Sequence, residues 1–309
     1  MAVLNWGLGH ATRCIPIVKC LLQEDVNVLL ASDGAALELL KKEFPELSSF
    51  SLPSYNVRYP FDSMVVNVLL QLPKIVLAIQ QERKAIQRLV TEQDVQILIS
   101  DNRFGCYTPK TYNVFMTHQL NIMAPFSLAE KVIAFWNKKI LSRFDLCWVP
   151  DFEKAPGLSG DLSHPSPVAS VKYIGPLSRM EAIKVKKKYD AIVILSGPEP
   201  QRTRLEKLIL QQAKNLPYRF LVVRGKMMDR QPLFQKENID IVGHLLANDL
   251  AKAIASAEVV IARSGYTTIM DLYALQKKAI LVPTPGQTEQ EYLGRLLSER
   301  GWFVVEEQE

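Results

Sequence analysis

Short apolar runs of strand length alternate with stretches whose apolar residues recur every three to four positions, and the alternation runs along nearly the whole chain. Strand-like runs stand at Ala2–Leu4, Val26–Ala31, Ile97–Ser100, Val114–Thr117 and Leu146–Val149, with helical patterns between them at Ala11–Leu22, Gly34–Lys42, Leu70–Thr91 and Leu128–Ser142. A strand, a crossover helix and a further strand build a parallel sheet, so the pattern confines the chain to the α/β class. The rhythm breaks at Asp151–Pro167, a stretch dense in Pro, Gly and Ser, and resumes at Ala191–Ser196, Arg219–Val223, Ile239–Val242, Val259–Ala262 and Ala279–Val282. The expectation is two Rossmann-like parallel-sheet domains, 1–160 and 161–309, facing a central cleft. Ligands of such sheets bind outside the carboxyl ends of the strands.

Composition narrows the class of function. With 48% hydrophobic residues over 309 positions the chain can bury enough apolar area to offset its conformational entropy, which excludes disorder. The net charge of +5 is spread along the chain, so no nucleic-acid partner is expected. The run Lys184, Lys186, Lys187 and Lys188 directly precedes a strand and reads as a solvated connector. Cys14, Cys20, Cys106 and Cys147 lack any metal-ligand spacing, which fits a reduced protein without a zinc site. The opening MAVLNWGLGHATR has no basic-then-apolar export pattern. The most apolar windows, Met64–Ile79 and Lys131–Ile140, are interrupted by Asn67, Gln71, Pro73 and Lys74 in the first and are short in the second. Neither reaches the ~20 clean residues of a membrane span. A cytoplasmic location is therefore expected, with a peripheral contact at the inner face of the plasma membrane left open.

Two strand-to-helix turns carry chemistry. In Asn5-Trp6-Gly7-Leu8-Gly9-His10-Ala11-Thr12-Arg13, Gly7 and Gly9 let a ligand approach the backbone, and the helix start offers unpaired N–H groups. His10, with a pKa near neutrality, suits the removal of a proton from an alcohol nucleophile. The plain alternative is a tight turn with a capping histidine. In Val259–Asp271 a buried strand runs into Arg263, Ser264 and Gly265, and a helix opens with Thr267 and Thr268. A cation, a hydroxyl and a helix N-terminus at one point suit a diphosphate. Asp271, four residues after Thr267, lies on the same helix face, where a carboxylate accepts both hydrogen bonds of a ribose diol. The alternative is that Ser264 and Thr267 cap the helix and Asp271 is a surface acid.

Two further segments belong to the same half. Pro283-Thr284-Pro285-Gly286 fixes a loop after a strand, and Gln287, Glu289, Gln290 and Glu291 open the last helix with amide and carboxylate groups that read sugar hydroxyls. Leu195-Ser196-Gly197-Pro198 ends the first strand of this half, where Ser196 and Gly197 present backbone donors to phosphate.

On these residues the chain resembles the GT-B glycosyltransferases, and among them the MurG-like branch with a glycosyltransferase family 28-like C-terminal half, most specifically over Gly243–Tyr292. The resemblance implies that the N-terminal domain takes the acceptor and the C-terminal domain a nucleotide sugar. It implies further that the Arg-Ser-Gly turn holds the diphosphate and that Asp271 holds the ribose, where the family carries Glu. The family's paired glutamines match Gln290 and Glu291, so the second is replaced. Gly175-Pro176-Leu177-Ser178-Arg179 echoes the family's Gly-Asn-Pro-Val-Arg, which makes Arg179 a second phosphate contact. The family's Gly-Gly-His turn aligns with Leu8-Gly9-His10. GLGHATR is also similar to bacterial proteins described as predicted glycosyltransferases, which share Ser100-Asp101-Asn102-Arg103 and Thr117-His118-Gln119. These strings make Asp101 a rival base, and Asn102, His118 and Gln119 acceptor-side contacts beside Gly7 and Gly9. Strand-end capping is their plain alternative.

The implied reaction is inverting transfer of a hexose or N-acetylhexosamine from a UDP sugar to a lipid-linked or glycan acceptor of a bacterial cell envelope, with His10 or Asp101 as base. The sequence holds no Asp-x-Asp, so neither cofactor nor metal is expected; Ser196, Gly197, Arg263, Ser264 and the helix start receive the leaving charge instead. Met64–Ile79 with Phe135, Trp136, Lys138 and Lys139 suits a lipid carrier at a membrane face, while core packing accounts for most of them as well. Two other readings stay open. One is a sugar-nucleotide 2-epimerase using Asp101, Asp271, Glu289 and Glu291, and the other is a non-catalytic nucleotide-sugar-binding protein.

Overall fold

The computed structural model describes residues 1–57, 64–123, 127–225, 234–236 and 238–308; within these, the side chains at 64–69, 127–130, 132 and 234–236 lie outside the described set. The first six positions of the apolar window Met64–Ile79 fall among them. The chain divides into two compact units, Met1–Leu177 and Ser178–Glu309.

The first unit contains β1 (Ala2–Val3), α1 (Leu8–Gln23), β2 (Leu30–Ser32), α2 (Gly34–Glu43), β3 (Ser49–Ser51), α3 (Met64–Glu92), β4 (Ile97–Asp101), β5 (Tyr112–Met116), α4 (Ser127–Leu141), β6 (Leu146–Val149) and β7 (Val171–Tyr173). Its seven strands pair in parallel in the order β3-β2-β1-β4-β5-β6-β7. The second unit contains β8 (Tyr189–Ile194), α5 (Gln201–Ala213), β9 (Phe220–Val223), β10 (Phe234–Lys236), β11 (Ile239–Val242), α6 (Ala247–Ala255), β12 (Ala257–Ala262), α7 (Tyr266–Ala274), β13 (Ala279–Leu281), α8 (Thr288–Glu299) and β14 (Val304–Val305). Its order is β10-β11-β9-β8-β12-β13-β14, parallel except for the antiparallel β10. Each sheet is thus a doubly wound Rossmann-type sheet whose order reverses beside its first strand. Ligand crevices of such sheets open at that reversal. The turns after β1 and β4 lie there in the first unit, and those after β8 and β12 in the second.

The boundary differs from the expected 160/161, because Asp151–Pro167 is not a linker. Buried Asp151 gathers that loop into the first unit. Its carboxylate accepts hydrogen bonds from the amides of Phe152 (2.7 Å), Leu158 (2.7 Å) and Ser159 (2.8 Å) and from the hydroxyl of Ser159. The chain then returns as β7, pairing Val171 with Cys147 at the sheet edge, before it leaves the unit. A stretch rich in turn residues signals irregular backbone, and irregular backbone here is folded around one buried acid.

Apolar faces explain the layering. Val3, Cys14, Ile15, Val18, Leu30, Leu39, Leu40 and Met116 form one core of the first unit, and Val193, Leu205, Val222 and Ile239 belong to the core of the second. Between β1, α2, α3 and β4 stands a buried ionic network. Arg103 is fully buried; its Nη1 donates to Glu82 at 2.6 Å, its Nη2 to Asp33, and its Nε to the carbonyl of Val3 at 2.7 Å. Tyr55 and the amide of Gly105 donate to the other Glu82 oxygen, and Asn5 bridges Asp33 to the first turn of α2. Removing one partner of such a network leaves buried charge uncompensated, which typically costs about 3–5 kcal/mol. Arg103→Leu is therefore expected to lower the unfolding free energy of the first unit by about that amount. Denaturant unfolding checks this, and a loss below about 1 kcal/mol would contradict it.

Candidate functional site

In the first unit, β1 ends in a turn whose Gly7 has φ +83°, the left-handed region that glycine tolerates. No heavy atom lies within 4 Å of a Cβ built on it, so backbone conformation rather than crowding calls for glycine. Helix α1 begins at Leu8 and places Gly9 and His10 in its first turn. His10, Arg13 and Cys14 then share one helix face, which meets Asp101 at the end of β4. His10 Nδ1 lies 3.1 Å from Asp101 Oδ2 and 2.9 Å from Arg13 Nη2. Arg13 Nε reaches both Asp101 oxygens at 3.1 Å, its Nη2 donates to Oδ1, and its Nη1 lies 3.2 Å from His118 Nδ1. The Cys14 thiol donates to Asp101 at 3.5 Å. Asn102 makes the turn after β4 with φ +53°, and the amide of Gln119 donates to Thr117 Oγ1, so both shape strand ends.

Burial opposes ionisation of Asp101, but Arg13 first and His10 second outweigh it and bring its carboxyl down to about 2. So weak a base is a poor proton acceptor, and the expectation of Asp101 as a rival base gives way to Asp101 as a fixed anion behind His10. His10 is pushed below the ordinary imidazole value by burial and then by Arg13, against the opposing pull of Asp101. Its ring is neutral at neutral pH. Arg13 carries no expected role from sequence, although its spacing of three from His10 on a helix is the available signal.

The second unit brings Gly197 (φ +100°, exposed), Arg263, Ser264, Gly265 and the loop after β13 to one end of its sheet. Helix α7 starts at Tyr266, and no side chain caps it at Gly265. Several expected donor ligands are spent inside the fold. Arg263 is 1% exposed, and its guanidinium donates to the carbonyls of Val282 (3.1 Å), Pro283 (2.9 Å) and Gln201 (3.1 Å) and to the Gln308 side chain. Ser264 donates its hydroxyl to the carbonyl of Gln290 at 2.7 Å. Gln290 accepts from the amide of Thr284 and donates to Gln287, and exposed Glu291 accepts from the amide of Gly286 at 2.8 Å. These side chains build the Pro283–Gly286 loop, and the Arg263 and Ser264 side chains, expected as phosphate ligands, are hydrogen-bonded within the fold instead.

Arg263 carries a charge with no carboxylate beside it; burial lowers its pKa to about 10, which leaves it protonated at neutral pH. Thr284 was missed as a site residue. Its hydroxyl is buried without a hydrogen-bond partner and lies 3.7 Å from a Cβ built on Gly197. Asp271, on α7 beyond Thr267 and Thr268, accepts a hydrogen bond from Ser178 at 2.7 Å. Burial raises its pKa to about 6, with Ser178 and then Arg179 opposing. Arg179 thus borders Asp271. Glu289 stands in the first turn of α8 and Ser196 at the exposed end of β8.

Core packing accounts for only part of the apolar residues set aside for a lipid face: Ala78 lies in a core cluster and Ile79 packs against it. On α3, Leu70, Leu72, Val76 and Leu77 are exposed, as are Phe135 and Trp136 on α4, where Lys139 lies over the Trp136 ring. Among the described residues no helix is long and apolar enough to cross a membrane.

Residues 191–304 match the family model of the glycosyltransferase family 28 C-terminal domain, which covers both turns of the second sheet. The Acinetobacter baumannii MurG structure superposes over 100% of this chain and 85% of its own with a TM-score of 0.59 at 16% identity. The chain is a glycosyltransferase of GT-B fold, similar to MurG. An uncharacterized glycosyltransferase of Methanosarcina mazei is 20% identical to it over 96% of this chain and 82% of its own length. The UDP-N-acetylglucosamine--N-acetylmuramyl-(pentapeptide) pyrophosphoryl-undecaprenol N-acetylglucosamine transferase of Haemophilus influenzae is 29% identical over 38% of this chain and 34% of its own. Relatives of this glycosyltransferase thus include an archaeal protein, and a bacterial cell-envelope setting does not follow from them.

Proposed function

We propose that this glycosyltransferase moves a hexosyl or N-acetylhexosaminyl group from a nucleotide sugar, a UDP sugar first, to a hydroxyl of a lipid-linked or glycan acceptor, with inversion and without a metal. One observation carries the donor reading: buried, charged Arg263, which has no carboxylate partner among the described residues, lies directly before the start of α7, where Gly265 offers no side-chain cap. A helix N-terminus and an unbalanced cation favour an anion, and Gly197 with the Thr284 hydroxyl adds donors where a diphosphate fits. Arg263 acts there through its field, holding the loop while its charge stabilises the departing phosphate. Asp271 then takes the ribose diol in place of Ser178.

His10 supplies the base. With Nδ1–H on Asp101, its Nε2 lone pair takes the acceptor hydroxyl proton as that oxygen bonds to the anomeric carbon. The bond from that carbon to the phosphate oxygen breaks, and the nucleoside diphosphate leaves with the electron pair. Two features of the relatives support this: the named donor of the H. influenzae enzyme is UDP-N-acetylglucosamine, and its acceptor is an undecaprenol pyrophosphate. The exposed Leu70, Leu72, Val76, Leu77, Phe135 and Trp136, with Lys74, Lys138 and Lys139 nearby, support docking at an anionic membrane that presents such an acceptor.

A thermal-shift panel of UDP, GDP, ADP and dTDP sugars tests the donor site. Stabilisation by one nucleotide series, lost in Asp271→Ala, is expected. Because Asp271 must be ionised to accept from a diol and titrates near pH 6, the stabilisation should weaken as pH falls through that value. No stabilisation by any member, or full retention in Asp271→Ala, contradicts the assignment, and an epimer formed without acceptor would point to the epimerase reading instead. For the acceptor side, the protein is expected to sediment with anionic vesicles in a salt-sensitive manner. Equal recovery in the supernatant with and without vesicles contradicts docking.

A further inference from the structure

The guanidinium of Arg13 touches three functional groups at once, and it has only donors to offer. It is 2% exposed and joins Asp101 through Nε and Nη2, His10 Nδ1 through Nη2 at 2.9 Å, and His118 Nδ1 through Nη1 at 3.2 Å. Hydrogen bonding to a donor-only group requires a bare nitrogen, so His118 in this contact carries its proton on Nε2. His10 is in a different position. Its Nδ1 lies within reach of a donor, Arg13, and of an acceptor, Asp101 at 3.1 Å, and it satisfies only one at a time. With the proton on Nδ1 the ring bonds Asp101 and leaves Nε2 as a base. With Nδ1 bare it bonds Arg13, and Nε2–H accepts nothing.

We propose that Arg13 is a positioning residue for the transfer: one buried fork holds Asp101 ionised, fixes His118 as its Nε2–H tautomer and sets the protonation of His10. The inference rests on the reading of His10 as base. The groups that face His10 are Arg13 and Cys14 on its own helix, Asp101 at the end of β4 and His118 after β5. With Arg13 charged and Asp101 ionised, the pull of Asp101 toward a positive charge on His10 is met by the opposing charge of Arg13. When His10 takes the acceptor's proton on Nε2, its Nδ1–H keeps Asp101, and the new positive charge stands beside the charged guanidinium of Arg13. Arg13 thereby opposes the protonated state, which keeps the base empty before the reaction and returns the proton to solvent after it. Without Arg13 the cluster carries a net negative charge and binds a proton at higher pH.

Nitrogen-15 resolved histidine spectra of the full chain, without substrate, test this apart from activity. In the wild-type protein His118 is expected to show the Nε2–H tautomer, and His10 to titrate below the ordinary imidazole midpoint. In Arg13→Gln the preference of His118 should vanish and the His10 midpoint should rise by about one unit or more. Arg13→Lys, which keeps the charge without the fork, should restore the His10 midpoint but not the His118 tautomer. If Arg13→Gln fails to fold, Arg13→Lys decides: an unchanged His118 tautomer in that variant overturns the proposal. So does a folded Arg13→Gln protein with wild-type midpoint and tautomers. Full transfer activity in His10→Ala would sink the reading of His10 as base while leaving the His118 tautomers of the wild-type and Arg13 variants untouched, so the two failures are told apart.

Discussion

Two buried charges at the end of β4, two residues apart, organise the first unit: Asp101, which faces α1, and Arg103, which faces α2 and α3. Both are fully buried. A buried charge is tolerable only when it is paired and hydrogen-bonded, and each of these is met several times over. Arg103 binds Glu82, Asp33 and the Val3 carbonyl, so it fixes where β1 ends and where α2 begins. Asp101 binds Arg13, His10 and Cys14, so it fixes how the first turns of α1 lie over the sheet. The histidine turn is held from below and behind by these networks, and its orientation follows from them.

The second unit solves the opposite problem. Among the described residues its central cation, Arg263, is met by carbonyls and one amide side chain and by no carboxylate. Those contacts close the Pro283–Gly286 loop, to which Gln290 and Glu291 also contribute. A buried cation with no carboxylate among its described neighbours, set beside a helix start, has stabilisation to gain from an incoming anion. The first unit, by contrast, is arranged to keep its histidine neutral. On the proposed function, one unit receives the leaving diphosphate and the other holds the proton acceptor, the division of labour that inverting transfer requires.

The strand–helix alternation was legible because periodicity alone separates the two element types, and both glycine turns fall where their sheets reverse order. The solvated reading of the lysine run agrees with the structure too: Lys187 and Lys188 are about half exposed at 46% and 53% and pair with Glu258 and Asp240. The directions of side chains were less legible. Arg263 reads as a phosphate ligand in one dimension, but the carbonyls that hold it come from positions 201, 282 and 283, whose convergence no local spacing reveals. Asp151 was hidden for the same reason, since its partners lie inside a stretch whose composition imitates a linker. Thr284 lacked a role because its significance is an unmet hydroxyl, and satisfaction of hydrogen bonds is a property of the fold.

The central claim is that the reversal point of the second sheet is a diphosphate site built on backbone donors. Amide shifts of the full chain on titration with UDP test it most directly. The account predicts that the largest perturbations fall on Gly197, Gly265, Tyr266 and Thr284, with Asp271 and Ser178 following as the ribose enters. Perturbations centred instead on Gly7 to Arg13, with the second unit unmoved, would contradict it.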